Sequence, residues 1–102
     1  MHPQLEMVAL DAFPLREPVS KRVYTVIRVR TRSGATGYGE CSRIGQPDLS
    51  ALRQAIQGRE ATSFESIRRT VTVPASALAG LDIAMLDLVG KFTNAPIYQV
   101  LG

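Results

Sequence analysis

Alternating apolar and polar residues run through the first part of the chain and predict three β-strands. Residues 5–12 alternate in this way, and residues 23–32 are the clearest case, with Ile27 and its alternate neighbours on one face and Arg28 and its alternate neighbours on the other. A serine–glycine pair then signals a tight turn, and residues 36–41 are the returning strand. We therefore predict an antiparallel meander with one apolar face that needs a cover.

Two prolines separate the first and second predicted strands. Pro14 and Pro18 lie in a polar stretch, and proline is poorly accommodated within a central strand. We therefore predict that residues 14–22 form a loop.

The second half of the chain has helical spacing. Three helices are predicted over residues 48–57, 63–70 and 76–92. Gly58 is placed to end the first helix, and Ser76 is a candidate N-cap for the third. Strands followed by helices indicate the α+β class, here a three-stranded antiparallel β-meander followed by a three-helix bundle.

Other residues mark the ends of the second and third helices. Thr62 and Glu65 have the spacing of a capping box at the start of the second helix. Asn94 tolerates the left-handed conformation that ends a helix, and Pro96 prevents continuation.

The third predicted helix is apolar on nearly every side. Between residues 77 and 89 the only polar side chains are Asp82 and Asp87. A helix of this kind is buried on more than one face, and a short chain has little material to cover it. We therefore expect the helix to need a neighbour that this sequence does not contain.

Composition fits one globular domain over residues 1–102, with 45% hydrophobic and 21% charged residues. The net charge of +3 is too small to indicate nucleic acid or an anionic membrane by itself. Cys41 is the single cysteine, which fits a reducing cytoplasm, and the N-terminus lacks the pattern of a secretory signal. We expect a cytoplasmic protein that does not span a membrane.

Arg28, Arg30 and Arg32 form a basic stripe on one strand face. One alternative is therefore a small non-enzymatic binding module that uses this face. We favour a solvated face with carboxylates from neighbouring strands, because no exposed aromatic residues are expected between the arginines. Another alternative is a domain that pairs its apolar helix with a second copy, and we expect a homo-oligomer.

Several segments taken together resemble a known family. They are Gly37-Tyr38-Gly39-Glu40, Gly58-Arg59, the run from Gly80 to Lys91, and the ending with Pro96, Tyr98 and Leu101-Gly102. The chain resembles the N-terminal capping domain of the enolase superfamily, in the mandelate racemase and muconate lactonizing enzyme branch. Leu86 and Asn94 depart from the family pattern, which often has tryptophan and glycine there.

The resemblance implies a function that this chain does not perform alone. In the family, the capping domain closes over a β/α barrel of about 250 residues, which carries the bases and a magnesium ion. A proton next to a carboxylate is removed, as in racemases, cycloisomerases and acid-sugar dehydratases. No catalytic residue, metal ligand or cofactor can be carried over to this chain, and whether the chain itself is an enzyme stays open. The implied partners are that barrel and a small carboxylic acid, not nucleic acid or a membrane.

By the same resemblance, two loops shape the substrate pocket and exclude water. They are residues 15–22, the first loop, and residues 41–47, the second loop. The candidate capping residues are Arg16, Glu17, Val19, Ser20, Lys21, Arg22, Cys41, Ser42, Arg43 and Ile44.

Overall fold

A computed structural model of the chain describes residues 3–93, and His2, Asn94, Pro96 and the rest of the C-terminal motif lie outside them. The described chain has three strands followed by three helices, which confirms the predicted α+β class and the β-meander followed by helices. After a short 3-10 turn at Pro3–Leu5, the elements are β1 (Met7–Arg16), β2 (Val23–Thr31), β3 (Thr36–Cys41), α1 (Gln46–Ile56), α2 (Phe64–Thr70) and α3 (Ala75–Thr93).

The three strands form one antiparallel sheet in the order β1-β2-β3. In β2 the predicted alternation is confirmed: Ile27 and Val29 are fully buried, whereas Arg30 is exposed. Leu10 of β1 lies opposite Val29, and Gly39 of β3 lies opposite Ile27, so one face of the sheet supplies the core.

β1 is longer than the sequence pattern indicated. We predicted a strand over residues 5–12, but pairing with β2 continues to Arg16, and Pro14 lies opposite Thr25. The prediction that residues 14–22 form a loop is therefore wrong at its start. The reason is that β1 is an edge strand, where a proline is tolerated because one side of the strand has no partner.

Of the two predictions for the ends of α1 and α2, one is confirmed and the other is wrong. Gly58 follows α1 with a φ of +74°, as predicted for a residue that ends a helix. The predicted capping box is absent, since α2 begins after Ser63 without a side-chain cap. The carboxylate of Glu65 instead accepts a hydrogen bond of 3.0 Å from Arg68.

Helix α3 lies directly on strand β3, backbone against backbone. A methyl group on Gly39 would overlap the carbonyl oxygen of Gly80, and one on Gly37 would overlap that of Ala84. Only glycine therefore fits at these two positions of β3, where the backbone of α3 approaches closely.

Side chains of α3 also form hydrogen bonds with two backbone groups of β3. The N–H of Tyr38 donates to Asp87 Oδ2 at 2.9 Å, and Lys91 Nζ donates to the carbonyl of Thr36 at 2.7 Å. Ser76 was predicted to cap α3, but the helix begins at Ala75, and the Ser76 hydroxyl accepts the N–H of Ser42 at 2.9 Å. This long-range bond explains why the cap prediction failed, and it ties α3 to the residue that follows β3.

The chain covers most of α3 with its own residues. Leu81, Met85 and Leu88 are fully buried. The expectation that this helix needs an outside neighbour is therefore wrong for most of its length. The exception is its remaining apolar surface, where Ile83 is 48% and Phe92 42% exposed.

The close contact of α3 with β3 predicts a graded effect of glycine substitutions. We expect Gly39→Ala to lower the free energy of unfolding by about 3 kcal/mol or more, because its methyl group meets backbone that cannot move independently. Gly80→Ala should cost less, because a gain in helix propensity of about 1 kcal/mol offsets a tight 3.0 Å contact with Cys41.

Gly45→Ala is the control for an added methyl group, since its nearest atom would be 3.8 Å away in Pro47, and we expect a loss of only about 1 kcal/mol because Gly45 is the N-cap of α1. Urea unfolding of the three variants measures the order. A Gly39→Ala protein as stable as Gly45→Ala would contradict the packing described.

Candidate functional site

The two candidate loops lie at the same end of the sheet because antiparallel pairing places the end of β3 beside the start of β2, and β1 and β2 extend beyond β3 at this end. Strand β3 pairs with β2 only as far as Cys41 opposite Thr25. The hairpin of β1 and β2 continues for two more pairs, and the last joins Arg16 and Val23. The second loop begins where β3 ends, and therefore lies beside the part of β2 that has no pairing with β3.

A tight turn closes the first loop. Leu15 and Arg16 belong to β1, so the turn itself consists of residues 17–22, here called the hairpin tip. The N–H of Glu17 donates to the carbonyl of Arg22 at 2.8 Å, and the N–H of Lys21 donates to the carbonyl of Glu17 at 2.9 Å. Lys21 has a left-handed φ of 63°. The tip presents Val19 to solvent with 89% of its surface exposed.

The carboxylate of Glu17 orders the hairpin tip by hydrogen bonding to its backbone. It accepts the backbone N–H of Val19 at 3.1 Å and that of Ser20. Hydrogen bonds from the side chain and backbone of Ser20, and from the backbone of Val19, lower the pKa of Glu17. Glu17 therefore orders the tip and is not a free acid or base.

The second loop is anchored through three of its candidate residues. Cys41 is 7% exposed and lies against Gly80, and burial, followed by the charge of Glu40, raises the pKa of its thiol. Cys41 is therefore turned into the core and does not fit a role at a pocket surface. The N–H of Ser42 is bound by Ser76, and Ile44 packs against the core.

The two loops meet at a recess of about 240 Å³. It is lined by Pro14, Leu15 and Arg16 of β1, Val23 of β2, and Arg43 of the second loop. Sequence reasoning proposed Arg16 and Arg43 but missed Pro14 and Val23, because it placed both loops without knowing how far the hairpin extends past β3.

Positive charge at this end is only partly neutralised. Arg22 pairs with Glu40 at 3.4 Å and lies over the ring of Tyr24. Within residues 3–93, the side chains of Arg16, Lys21 and Arg43 have no hydrogen bond, ion pair or ring contact. The described loops therefore present three unpaired cations, of which Arg16 and Arg43 line the recess.

The basic stripe on β2 is mostly paired. Arg28 Nη2 lies 2.9 Å from Asp11 Oδ2, which raises the pKa of Arg28, and Arg32 lies 2.7 Å from Glu6. Asp11 belongs to the neighbouring strand β1 and Glu6 directly precedes it, as favoured from the sequence. The expectation of no exposed aromatic neighbours is wrong. The guanidinium carbon of Arg28 lies 4.9 Å from the centre of the Phe13 ring, and Tyr38 of β3 lies opposite Arg28.

The described residues do not fit a magnesium site. Asp82 accepts a hydrogen bond of 2.6 Å from Arg68, and Asp87 is bound by Tyr38 and Lys91. No group of three His, Cys, Asp or Glu side chains suitable for a metal occurs within residues 3–93. No helix in this part of the chain is long and apolar enough to cross a bilayer.

The fold is an α+β domain with two loops at one end of its sheet, and comparison with known proteins identifies its family. Residues 11–102 match the family described as mandelate racemase / muconate lactonizing enzyme, N-terminal domain. The chain belongs to this family.

The relatives of this chain include a dehydratase and a cycloisomerase. D-mannonate dehydratase of Xanthomonas oryzae pv. oryzicola is 33% identical in an alignment over 96 residues. The match covers 79% of this chain and 23% of that enzyme. Chloromuconate cycloisomerase of Pseudomonas putida is 29% identical over 101 residues, covering 82% of this chain and 27% of the enzyme.

A solved structure, muconate lactonizing enzyme of Pseudomonas putida, superposes with a TM-score of 0.82 and 25% identity, over 94% of this chain and 32% of that one. The chain thus spans about a third or less of the length of the relatives it matches.

The hydrogen bonds of Glu17 predict a pH response confined to the hairpin tip. Because the pKa of Glu17 is lowered in the folded tip, the ordering it supplies is complete at neutral pH. That ordering is lost as the pH falls through the lowered pKa. We expect the amide chemical shifts of Val19 and Ser20 to titrate together in this acidic range.

Glu17→Gln should abolish this response, while Glu65→Gln, on the distant α2, should leave it intact. Nuclear magnetic resonance titration of the three proteins measures it. Titration of Glu17 at or above the ordinary glutamate range would show that the carboxylate does not hold the tip.

Proposed function

We propose that this domain caps the active site of an enolase-superfamily enzyme that removes a proton next to a carboxylate group. Its role is to select the substrate and exclude water. The observation that carries the proposal is the recess where Arg16 of the first loop and Arg43 of the second loop come together. Two loops that converge on one recess suit a lid. Membership of the family also supports the proposal.

The chemical step belongs, on this proposal, to the rest of a longer enzyme. The relatives that this chain matches are about three or more times its length. Within residues 3–93 no side-chain cluster fits a metal, and the aspartates of α3 are committed to hydrogen bonds. We therefore assign the bases and a magnesium ion to a β/α barrel that this sequence does not contain.

Membership of the family supports this reaction class. The names of the relatives include a dehydratase, a cycloisomerase and an epimerase. Each is compatible with abstraction of a proton from a carbon beside a carboxylate. We propose a small carboxylic acid as substrate, with acid sugars among the candidates.

The geometry of the loops suits capping because both are held before any ligand arrives. Glu17 orders the hairpin tip, and Ser76 and Ile44 anchor the second loop. A lid that is already ordered loses little conformational entropy on closure, and its exposed Val19 can cover a pocket mouth without carrying water into it.

The test is proton exchange in heavy water. The complete reading frame that contains this sequence is expressed beside the 102-residue chain, and both are incubated with a panel of small carboxylic acids. Loss of the signal of the proton next to the carboxylate is followed by nuclear magnetic resonance. We expect exchange with the complete protein and none with the chain alone.

A second variant tests the cap itself. Replacing residues 17–22 of the complete protein by a two-residue turn should lower kcat/KM by about tenfold or more, because the lid no longer positions the substrate or excludes water. Arg69→Gln, an exposed change on α2, is the control and should have no effect. Turnover by the 102-residue chain alone, or full activity without the tip, would overturn the proposal.

A further inference from the structure

We propose that Arg16 and Arg43 form an oxyanion site, and that the substrate carries a second anionic group besides the carboxylate at which the chemistry occurs. The assignment of this anion to a substrate rests on the proposed function. The binding of an oxyanion by the two arginines does not, and it can be measured on this chain alone.

The distribution of unpaired charge points to this end of the molecule. All 12 basic side chains lie within the described residues. Seven have a hydrogen-bond or ion-pair partner: Arg22, Arg28, Arg32, Arg53, Arg59, Arg68 and Lys91. The side chains of the other five have none among residues 3–93, and three of those five belong to the two loops: Arg16, Lys21, Arg30, Arg43 and Arg69.

No carboxylate of the described residues is paired with these three cations of the two loops. Glu17 is committed to the backbone of the hairpin tip, and Glu40 to Arg22. Asp48, the next acidic residue after Arg43 in the chain, lies in the first turn of α1 and makes no ion pair within the described residues. An anion that enters the recess therefore does not have to displace an existing partner.

The chemistry of the lining suits an oxyanion. Guanidinium groups present several N–H donors in one plane, which matches a carboxylate or a phosphate better than a lysine ammonium does. The other lining residues include Pro14, Leu15 and Val23, whose apolar side chains compete with neither arginine for hydrogen bonds. Ion–dipole and ion–ion contacts are also stronger beside apolar surface than in open water.

The size of the recess decides what part of a ligand it can take. About 240 Å³ is below the roughly 300–1,000 Å³ of a pocket that encloses a whole ligand. The recess therefore fits a terminal group. Arg16 lies on a paired strand and Arg43 between the anchored Ser42 and Ile44, so their backbones are fixed before binding.

The binding test uses the 102-residue chain with its arginine Nε groups observed by nuclear magnetic resonance. Succinate and inorganic phosphate are titrated separately at low ionic strength, with chloride as the reference at equal ionic strength. We expect saturable shifts of Arg16 and Arg43 together, and none of that kind for Arg30 and Arg69. The anion whose titration saturates the shifts at the lower concentration is the preferred ligand, a carboxylate or a phosphate.

Substitutions make the assignment specific. Arg16→Gln and Arg43→Gln should each weaken binding by about tenfold, as expected for the loss of a charge-assisted hydrogen bond. Arg69→Gln removes an equal charge from an unpaired arginine elsewhere and should leave the affinity unchanged. Equal shifts at all the unpaired arginines, or no shift at Arg16 and Arg43, would overturn the oxyanion site.

The complete protein separates failure of this inference from failure of the proposed function. Arg43→Gln should raise KM for a dianionic substrate by about tenfold and leave KM for a monoanionic analogue of equal length unchanged. Proton exchange that persists with no such discrimination would overturn the second anion while the capping function stands. Oxyanion binding without proton exchange on any acid would overturn the capping function while the arginine site stands.

Discussion

The contact of two backbones, that of α3 and that of β3, is the constraint on which the rest of the structure depends. Gly39 and Gly80 bring them together, because a side chain on Gly39 would occupy the space of the Gly80 carbonyl. At this distance Asp87 and Lys91 reach backbone groups of β3, and Ser76 reaches the residue beyond it. These contacts bind two backbone groups of β3 and fix the point at which the second loop begins.

The candidate site follows from a difference in strand length. The hairpin of β1 and β2 passes the end of β3 by two residue pairs, and the second loop turns beside this extension. Residues of the two loops then divide into those that hold the loops and those that face solvent. Glu17, Cys41 and Ile44 belong to the first kind, whereas Val19, Arg16 and Arg43 are exposed and free to meet a ligand.

Local patterns predicted part of what local physics decides, although the capping box of Thr62 and Glu65 did not form. The alternation in β2 and the left-handed Gly58 after α1 were predicted correctly, since each depends on a few neighbouring residues. The predictions for Pro14 and Ser76 failed because each depends on a distant partner: the edge position of β1 in one case and the N–H of Ser42 in the other. The two loops could be predicted, but the recess between them could not. The recess depends on how far the β1–β2 hairpin extends past β3, which strand pairing decides.

The central claim is that the close packing of α3 on β3 holds the second loop against the end of the β-hairpin. Nuclear Overhauser effects in the labelled chain test this claim most directly. We predict cross-peaks between the side-chain protons of Arg43 and the methyl groups of Val23 and Leu15, which line the recess with it. Absence of these cross-peaks, in a sample that shows those expected between β3 and α3, would contradict the account.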